Sequence, residues 1–297
     1  MKKNRAALDK ELSQGQKAAA KKLRGAEGFE EHYSSLYGER WAALKAALLT
    51  ETKPLPLVCH GGAPAYYLDA ASVVAAMTLP LERAKNILDM CAAPGGKSLV
   101  LASLMDSDAN ILCNERSFDR SMRLRKVISE HLSTATQERV QVSCGDGALL
   151  CKKRTEAYDA ILLDAPCSSE RHVLNDSKYL AEWSPARVKS LAMQEWALLS
   201  SAFRLLKTGG RLLYSTCALD PAENTGVCER LLKKFPNAAA AGLEEVRALQ
   251  DSAKRKLAPF FDVAALPGFE PSGAGFSVLP DAQGGSGPIY FCLLKKA

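Results

Sequence analysis

The sequence predicts an α/β domain built on a mostly parallel sheet that ends in an antiparallel hairpin, preceded by a small helical extension. From residue 86 onward, short apolar runs with the length of buried strands alternate with stretches whose apolar residues recur at helical spacing. Such alternation is typical of parallel strands joined by helices that cover both faces of the sheet. The strand-like runs are 86–90, 110–113, 139–143, 159–163 and 211–215, and the helix-like stretches are 98–105, 117–132, 146–153 and 185–207.

The C-terminal part of the chain predicts the edge of this sheet. A helix-like stretch near 221–235 is followed by two more apolar runs at 276–279 and 289–294. The segment between these runs is rich in glycine and proline, so we expect the two runs to form a hairpin.

The N-terminal part predicts additions to the α/β domain. Residues 29–49 carry apolar residues at helical spacing, which predicts one docked helix, and the prolines and glycines between 54 and 64 predict an irregular linker. The predicted divisions are therefore a basic flexible arm at 1–28, a helical extension with its linker at 29–85, and the α/β domain at 86–297.

Composition and charge limit the classes of protein to be considered. Of the 297 residues, 47% are hydrophobic and 24% are charged, which excludes a fully disordered chain. No apolar stretch is long enough for a membrane span, and the first residues lack the apolar core of a signal peptide. Residues 1–28 hold eight basic and three acidic residues and so carry most of the net charge of +6. The nearly neutral remainder argues against an extensive basic nucleic-acid clamp, and the arm itself is either a docking arm or a solvated tail.

The nine cysteines of the chain form no C-x-x-C pair, and with four scattered histidines they give no zinc-ligand spacing. Several of them lie in strand-like apolar runs, where a thiol packs as a small hydrophobic group. Free thiols in this number indicate a reducing compartment.

Ligands of open α/β sheets bind outside the carboxyl ends of the strands, and five consecutive strand ends in this chain carry polar or reactive residues. The first strand runs into a loop rich in glycine and proline before a helix, so that backbone N–H groups and a helix N-terminus would face a ligand. The simpler alternative is a tight structural turn. The residues predicted to bind a cofactor here are Cys91, Ala92, Ala93, Pro94, Gly95, Gly96, Lys97 and Ser98.

A phosphate-binding loop is the nearest rival interpretation. Gly96, Lys97 and Ser98 fit the end of the motif G-x-x-x-x-G-K-[ST], and an acid at the end of the 159–164 run could hold its metal. The motif also requires a glycine at position 91, where this chain has Cys91. The missing glycine argues against an NTPase.

Acidic residues at later strand ends complete a candidate pocket for a nucleoside-containing cofactor. Glu115 lies 26 positions after Asp89, at the end of the second strand, where an acid can bond both ribose hydroxyls. Arg120 follows at the start of a helix, and Asp146, beside Gly147, can meet an adenine amino group. Each residue alone would be an ordinary solvated one, but together they fit S-adenosylmethionine at least as well as a dinucleotide.

Two cysteines follow neighbouring strand ends beside this pocket. Cys167 comes three residues after Asp164, and Cys217 follows the fifth strand. Paired thiols beside a cofactor pocket suggest covalent catalysis, whereas either cysteine alone could be an inert buried thiol.

Four short motifs carry a resemblance to a known family. They are 89–97 (DMCAAPGGK), 164–168 (DAPCS), 214–217 (YSTC) and 221–224 (PAEN). In this order they resemble the NOL/Sun-domain (RsmB-type) RNA cytosine-5 methyltransferases, from about residue 87 to 235. The loop 168–172 (SSERH) lacks the glycine common in the family and looks more like the short mitochondrial ribosomal-RNA branch. Two milder departures from the family pattern are Ala218, where the family often has serine, and Glu115, where it usually has aspartate.

The resemblance implies a Rossmann-like S-adenosylmethionine-dependent methyltransferase fold and an RNA partner. It implies that Cys217 is the nucleophile that adds to C6 of cytosine, that Cys167 helps to release the adduct, and that Asp164 contacts both the base and the cofactor. The residues alone leave the two cysteine roles open, because Pro-Cys is the nucleophile context in the DNA enzymes of the same reaction. The expected target is a cytosine in single-stranded or loop RNA, either ribosomal RNA or transfer RNA.

Partners and location follow from the same resemblance. Because the α/β domain is nearly neutral, we expect the basic arm or a protein partner to supply RNA docking. The resemblance favours mitochondria, and the basic arm is compatible with a targeting segment despite its acids; cytoplasm and nucleus are the alternatives. A non-catalytic RNA-binding or assembly subunit with this fold is a further alternative, but it would have no use for both cysteines and Asp164.

Overall fold

The computed structural model describes residues 24–282 and 284–297, so that the predicted arm lies almost wholly outside the described residues. The expected single helix over 29–49 is in fact two helices, α1 (Gly25–Tyr37) and α2 (Trp41–Leu49), separated by a 3-10 turn (Gly38–Arg40). Gly38 has φ of 55° and ψ of −130°, a positive-φ conformation that glycine adopts without strain, and its N–H bonds the carbonyl oxygen of Ser34. Helix α1 also begins four residues before the predicted boundary.

The extension is packed on the rest of the molecule through aromatic rings. Phe29 and Tyr33 of α1 and Trp41 of α2 are buried. The rings of Phe29 and Tyr33 pack against the ring of Trp183 on one side and that of Trp41 on the other. The ring centroids of Phe29 and Trp183 lie 5.4 Å apart in an edge-to-face arrangement, which is a favoured geometry for aromatic pairs. The extension therefore shares a hydrophobic cluster of its own with residues of the α/β domain, among them Trp183 and Val188.

The predicted irregular linker contains regular structure. Strands β1 (Leu55–Leu57) and β2 (Tyr66–Leu68) form a small antiparallel hairpin, and helix α3 (Ala70–Met77) follows. The side chain of Asp69 accepts a hydrogen bond from the N–H of Ala71 and so caps this helix. Seven of its eight residues are buried, so it is part of the core and not a linker.

The predicted sheet is confirmed, with five parallel strands in the order β5-β4-β3-β6-β7. They are β3 (Asn86–Asp89), β4 (Asn110–Glu115), β5 (Val140–Cys144), β6 (Tyr158–Asp164) and β7 (Leu206–Thr216). The sheet continues with antiparallel strands in the order β11-β10-β9, and β8 pairs with β11. These strands are β8 (Ala238–Ala240), β9 (Glu270–Ser272), β10 (Gly275–Val278) and β11 (Ile289–Lys296), so the predicted C-terminal hairpin is β10-β11.

Helices cover both faces of the sheet. They are α4 (Gly96–Leu104), α5 (Phe118–His131), α6 (Thr134–Gln137), α7 (Glu170–Asn175), α8 (Ser177–Glu182), α9 (Pro185–Leu205), α10 (Thr225–Lys234) and α11 (Leu243–Leu257). The stretch predicted as a helix at 146–153 is a 3-10 turn (Gly147–Lys152), and the helix expected near 221–235 begins only at Thr225, after Pro221. Helices α3, α6, α7, α8 and α11 were not predicted.

The core lies on both sides of the parallel strands. Successive strand residues point to opposite faces, so Leu162 belongs to the cluster on one side and Ile161 and Leu163 to the cluster on the other, all fully buried. A rigid, doubly covered sheet holds its carboxyl edge in a fixed geometry. Within residues 24–282 and 284–297, no helix has both the length and the apolar character that crossing a bilayer requires.

Candidate active site

Three neighbouring cavities open along the carboxyl ends of β3, β4, β6 and β7. We call them the acidic cavity (about 250 Å³, beside Glu115 and Asp146), the loop cavity (about 220 Å³, along residues 91–97) and the thiol cavity (about 490 Å³, beside Cys217). Cys91 lines both the acidic and the loop cavity, and Lys97 and Asp164 line both the loop and the thiol cavity. The three cavities therefore adjoin one another, and we call them together the trough.

The predicted cofactor loop follows β3 and requires its glycines. Gly95 has φ of 124°, which L side chains rarely adopt, and a Cβ there would lie 2.9 Å from Cγ1 of Val127. A Cβ on Gly96 would lie 2.9 Å from Cε1 of Tyr66. The residues from Cys91 to Lys97 line the loop cavity, as the sequence predicted for a ligand-binding loop.

The acidic cavity brings together the other predicted cofactor residues. Glu115 is buried at the end of β4, where its Oε1 accepts the N–H of Ser117 and its Oε2 lies 3.5 Å from Nη1 of Arg120. Arg120 also donates from Nη2 to the carbonyl oxygen of Ala93 at 2.7 Å, and so connects the loop to Glu115. Asp146 accepts the N–H of Ala148 through Oδ1, and its neighbour Gly147 lines the same cavity.

Ser98 differs from the prediction. It is buried, and its hydroxyl donates to Oδ2 of Asp89 at 2.7 Å instead of lining a cavity. Burial raises the pKa of Asp89 to about 7, against the lowering effect of the Ser98 hydrogen bond. Oδ1 of Asp89 has no hydrogen-bond partner among the described residues, and the Asp89 side chain lines the loop cavity. Ser98 thus contacts Asp89, which the sequence places at a strand end but which was not predicted as a site residue.

Asn114 is a second residue that the sequence analysis missed. Its Nδ2 donates to the carbonyl oxygens of Met90 and Gly145, both at 3.0 Å, and its Oδ1 accepts from the hydroxyl of Ser143. It thereby ties the ends of β3, β4 and β5 together behind the acidic cavity. A polar residue inside an otherwise apolar strand, directly before Glu115, was the available signal.

Lys97 and Asp164 form an ion pair where the loop and thiol cavities meet. Lys97 Nζ lies 2.8 Å from Oδ2 of Asp164 and 3.2 Å from the hydroxyl oxygen of Ser72, and the Ser215 hydroxyl donates to Oδ1 of Asp164. Burial lowers the pKa of Lys97, but the charge of Asp164 and its hydrogen bond raise this pKa by a larger amount, so that the net shift is upward. Lys97 therefore keeps its charge and holds Asp164 in one orientation.

The two predicted cysteines meet in the structure. Sγ of Cys167 lies 3.2 Å from Sγ of Cys217, and Sγ of Cys217 lies 3.3 Å from the hydroxyl oxygen of Ser169. The pKa of Cys217 is lowered, mainly because the Cys167 thiol donates a hydrogen bond to it, while that same contact raises the pKa of Cys167 well above its ordinary value. The pair therefore ionises at Cys217, which lines the thiol cavity.

Two buried glutamates, which we call the glutamate brace (Glu170 and Glu223), hold the cysteine loops against each other. Glu170, on the Cys167 side, accepts the N–H of Leu219 at 2.8 Å, and Glu223, on the Cys217 side, accepts the N–H of Ser168 at 2.7 Å. Tyr33 of α1 donates to Oε1 of Glu170 at 2.5 Å. Burial raises the pKa of Glu223 to about 7 and also raises that of Glu170. Neither glutamate was predicted as a site residue, although Glu223 lies in the quoted 221–224 motif.

The geometry argues against the phosphate-loop alternative. Cys91 stands where the first glycine of that motif is required, and Lys97 bonds Asp164 and Ser72. A phosphate-loop lysine would instead reach the β- and γ-phosphates of its nucleotide. The trough has an acidic cavity at one end and the Cys167–Cys217 pair at the other.

Comparisons with known proteins agree with this geometry. A bacterial "Ribosomal RNA small subunit methyltransferase F" from Aeromonas salmonicida is 37% identical over 193 residues, covering 63% of this chain and 40% of that protein. A zebrafish (Danio rerio) protein named "tRNA (cytosine(34)-C(5))-methyltransferase, mitochondrial" is 33% identical over 234 residues, covering 78% of this chain and 60% of that protein. The chain thus spans less than two thirds of the length of either curated relative.

A solved structure shares the fold. The "Methyltransferase Homolog Protein" of Pyrococcus horikoshii superimposes with a TM-score of 0.67 at 21% identity, covering 93% of this chain and 96% of that one. The predicted methyltransferase fold is therefore confirmed. The family model described as "16S rRNA methyltransferase RsmB/F" matches residues 76–274, which include the loop, both cysteines and the glutamate brace. Because this match covers most of the chain, including the motifs at the carboxyl edge of the sheet, the chain belongs to the RsmB/F family of 16S rRNA methyltransferases.

Proposed function

We propose that the chain is an S-adenosylmethionine-dependent RNA (cytosine-5)-methyltransferase that works through a covalent bond between Cys217 and C6 of the target base. The observation that carries this proposal is the cysteine pair: two thiols 3.2 Å apart, with Cys217 favoured for ionisation, at the end of a trough that leads to the acidic cavity. The names of the bacterial and zebrafish relatives support the reaction class.

The acidic and loop cavities suit S-adenosylmethionine. The buried carboxylate of Glu115 can accept from both ribose hydroxyls, and Asp146 can accept from the adenine amino group. The unpartnered Oδ1 of Asp89 gives the loop cavity an acceptor for the ammonium group of the methionine part. When bound, S-adenosylmethionine supplies a methyl group that is activated by a positively charged sulfur. Lys97 and Asp164 then separate the cofactor end of the trough from its thiol end.

Cys217 would begin the reaction from the thiol cavity. Its thiolate adds to C6 of cytosine, and the electron pair of the C5–C6 double bond makes C5 nucleophilic enough to accept the methyl group. Asp164, held by Lys97 and Ser215, can bond the base near N3 and its amino group and stabilise the charge that develops there. Solvent water then takes the proton from C5, the electron pair of that C–H bond re-forms the C5–C6 double bond, and the C6–S bond breaks with its pair on the sulfur of Cys217. The Cys167 thiol can donate a hydrogen bond to this departing thiolate.

The proposed substrate is a cytosine in single-stranded or loop RNA, because a base within a stacked helix could not reach Cys217. Ribosomal RNA is the first candidate target, with mitochondrial ribosomal RNA included, and transfer RNA is the second. We propose a mitochondrial location, with cytoplasm or nucleus as the alternative outcome. The nearly neutral α/β domain supports RNA docking by the basic arm or by a protein partner.

Bisulfite sequencing of cellular RNA with and without this protein tests the activity and names the target in one experiment. We expect one or a few cytosines to lose protection from conversion when the protein is removed. Calorimetry of the pure protein with S-adenosylmethionine and, separately, with ATP and Mg²⁺ provides the control. Binding of ATP alone would favour an NTPase, and cofactor binding without any change in RNA would favour a non-catalytic subunit.

A further inference from the structure

Ser169 combines an unfavourable backbone with a position beside the nucleophile. It has φ of 58° and ψ of 64°, in the left-handed region where the Cβ of an L residue approaches its own carbonyl oxygen. In the described part of the chain it shares a positive φ with only two other non-glycine residues, Arg83 and Glu156. Such backbone strain at an active site persists only where the surrounding structure holds it.

The left-handed conformation directs the Ser169 hydroxyl to Cys217. The hydroxyl oxygen lies 3.3 Å from Sγ, and both residues line the thiol cavity. The neighbouring serine behaves differently, because the Ser168 hydroxyl donates to Glu170 at 2.6 Å. The brace therefore fixes one serine through Glu170 and leaves the other facing the sulfur.

The charges around Cys217 explain why a hydroxyl there matters. The pKa of Cys217 is lowered chiefly by the hydrogen bond from Cys167, against burial, which raises it. Ser169 and the charge of Lys97 lower it further, and the charge of Asp164 raises it. A hydroxyl rotor accepts from a thiol and, after a small rotation, donates to a thiolate, so Ser169 serves both states.

We infer that Ser169 is a positioning residue for Cys217: its hydroxyl, held over the sulfur by a strained left-handed backbone, keeps the thiolate stable and aimed into the thiol cavity. The inference depends on the proposed role of Cys217 as the nucleophile. It also explains why a residue with a side chain stands where the backbone favours glycine.

The test compares Ser169→Ala and Ser169→Gly in the full chain without RNA or cofactor. Both variants lack the hydroxyl, but only glycine relieves the strained backbone. The readout is the rate at which iodoacetamide alkylates Cys217 between pH 6 and 10, followed by mass spectrometry of the peptide that contains it. We expect both variants to raise the apparent pKa of Cys217 by about one unit, which means about tenfold slower alkylation at pH 7.

Arg83→Gly is the matched control, because Arg83 is exposed, has φ of 64° and lies outside the trough. It should raise the thermal unfolding midpoint, as Ser169→Gly should, without moving the alkylation profile. The inference would be overturned if the alkylation profiles of both Ser169 variants superimposed on that of wild type. It would also be overturned if only Ser169→Ala shifted, because the shift would then be caused by the strained backbone and not by loss of the hydroxyl. Alkylation needs no RNA and reports the contact between Ser169 and Cys217 by itself. Shifted profiles in a protein that methylates nothing would therefore refute the proposed function, whereas unshifted profiles in a protein that methylates RNA would refute only this inference.

Discussion

Replacing each cysteine of the pair separately should give two different failures. Cys217→Ala removes the group that adds to C6, so C5 never becomes nucleophilic and methyl transfer is abolished at every pH. Cys167→Ala leaves the nucleophile but removes the thiol that lies 3.2 Å from it. A hydrogen bond to a charged group contributes about 1.5–3 kcal/mol, which corresponds to about one to two pKa units.

The direction of the effect follows from the contact. The hydrogen bond from Cys167 lowers the pKa of Cys217, so losing it raises that pKa and reduces the thiolate fraction at neutral pH about 10- to 100-fold. Methyl transfer by Cys167→Ala should therefore be slow at pH 7 and recover as the pH is raised toward 9. Release should stay slow even then, because the departing sulfur lacks its donor.

The assay incubates each variant with target RNA and radiolabelled cofactor across this pH range and separates the products on a denaturing gel. Cys167→Ala should accumulate protein crosslinked to methylated RNA, and Cys217→Ala should give neither crosslink nor product. Accumulation of crosslinked RNA by Cys217→Ala would reverse the two roles. Near wild-type methylation by both variants would refute the covalent mechanism.

Three further predictions concern the acidic cavity, the brace and the buried aspartate. Glu115→Gln should weaken S-adenosylmethionine binding about 10- to 100-fold in calorimetry, while Glu130→Gln on the exposed face of α5 should not change it. Tyr33→Phe removes a buried donor to Glu170, so urea unfolding should show a loss of about 1–3 kcal/mol, together with slower methyl transfer. The pKa of Asp89 is raised from 3.8 to about 7, so wild-type stability should fall as the pH rises through this window. Asp89→Asn should remove the contribution of Asp89 to this fall, while Glu223, whose pKa is also raised to about 7, keeps its own contribution. The variant should gain up to about 4 kcal/mol relative to wild type between pH 4 and pH 8, measured by urea unfolding.

The central sheet was predictable because its strands are buried on both faces. Runs such as 159–163 are apolar throughout and are bounded by polar residues, so their length and spacing identify parallel strands. The same rule located much of the trough, since polar residues at the carboxyl ends of such strands lie at one edge. Glu115, Asp164 and Cys217 were found in this way.

Elements without a clear period were not predictable. Helix α3 is apolar on almost every side because it is buried all round, so no amphipathic pattern identifies it. The split between α1 and α2 depends on the positive φ of Gly38, and a continuous helical pattern in the flanking residues conceals it. Long-range contacts are invisible to local patterns for the same reason: Glu170 and Leu219 are 49 positions apart, so nothing local to either residue predicts their bond.

The docked extension has a consequence for how the chain is synthesised. Tyr33 bonds a residue 137 positions later, and Arg40 bonds Asp281, which is 241 positions later. Helices α1 and α2 therefore leave the ribosome long before their partners exist, with Phe29, Tyr33 and Trp41 still exposed to solvent. The extension is translated before the α/β domain but can dock only after that domain has been made, so its aromatic residues lack their final partners during most of translation, when exposed hydrophobic surface favours aggregation.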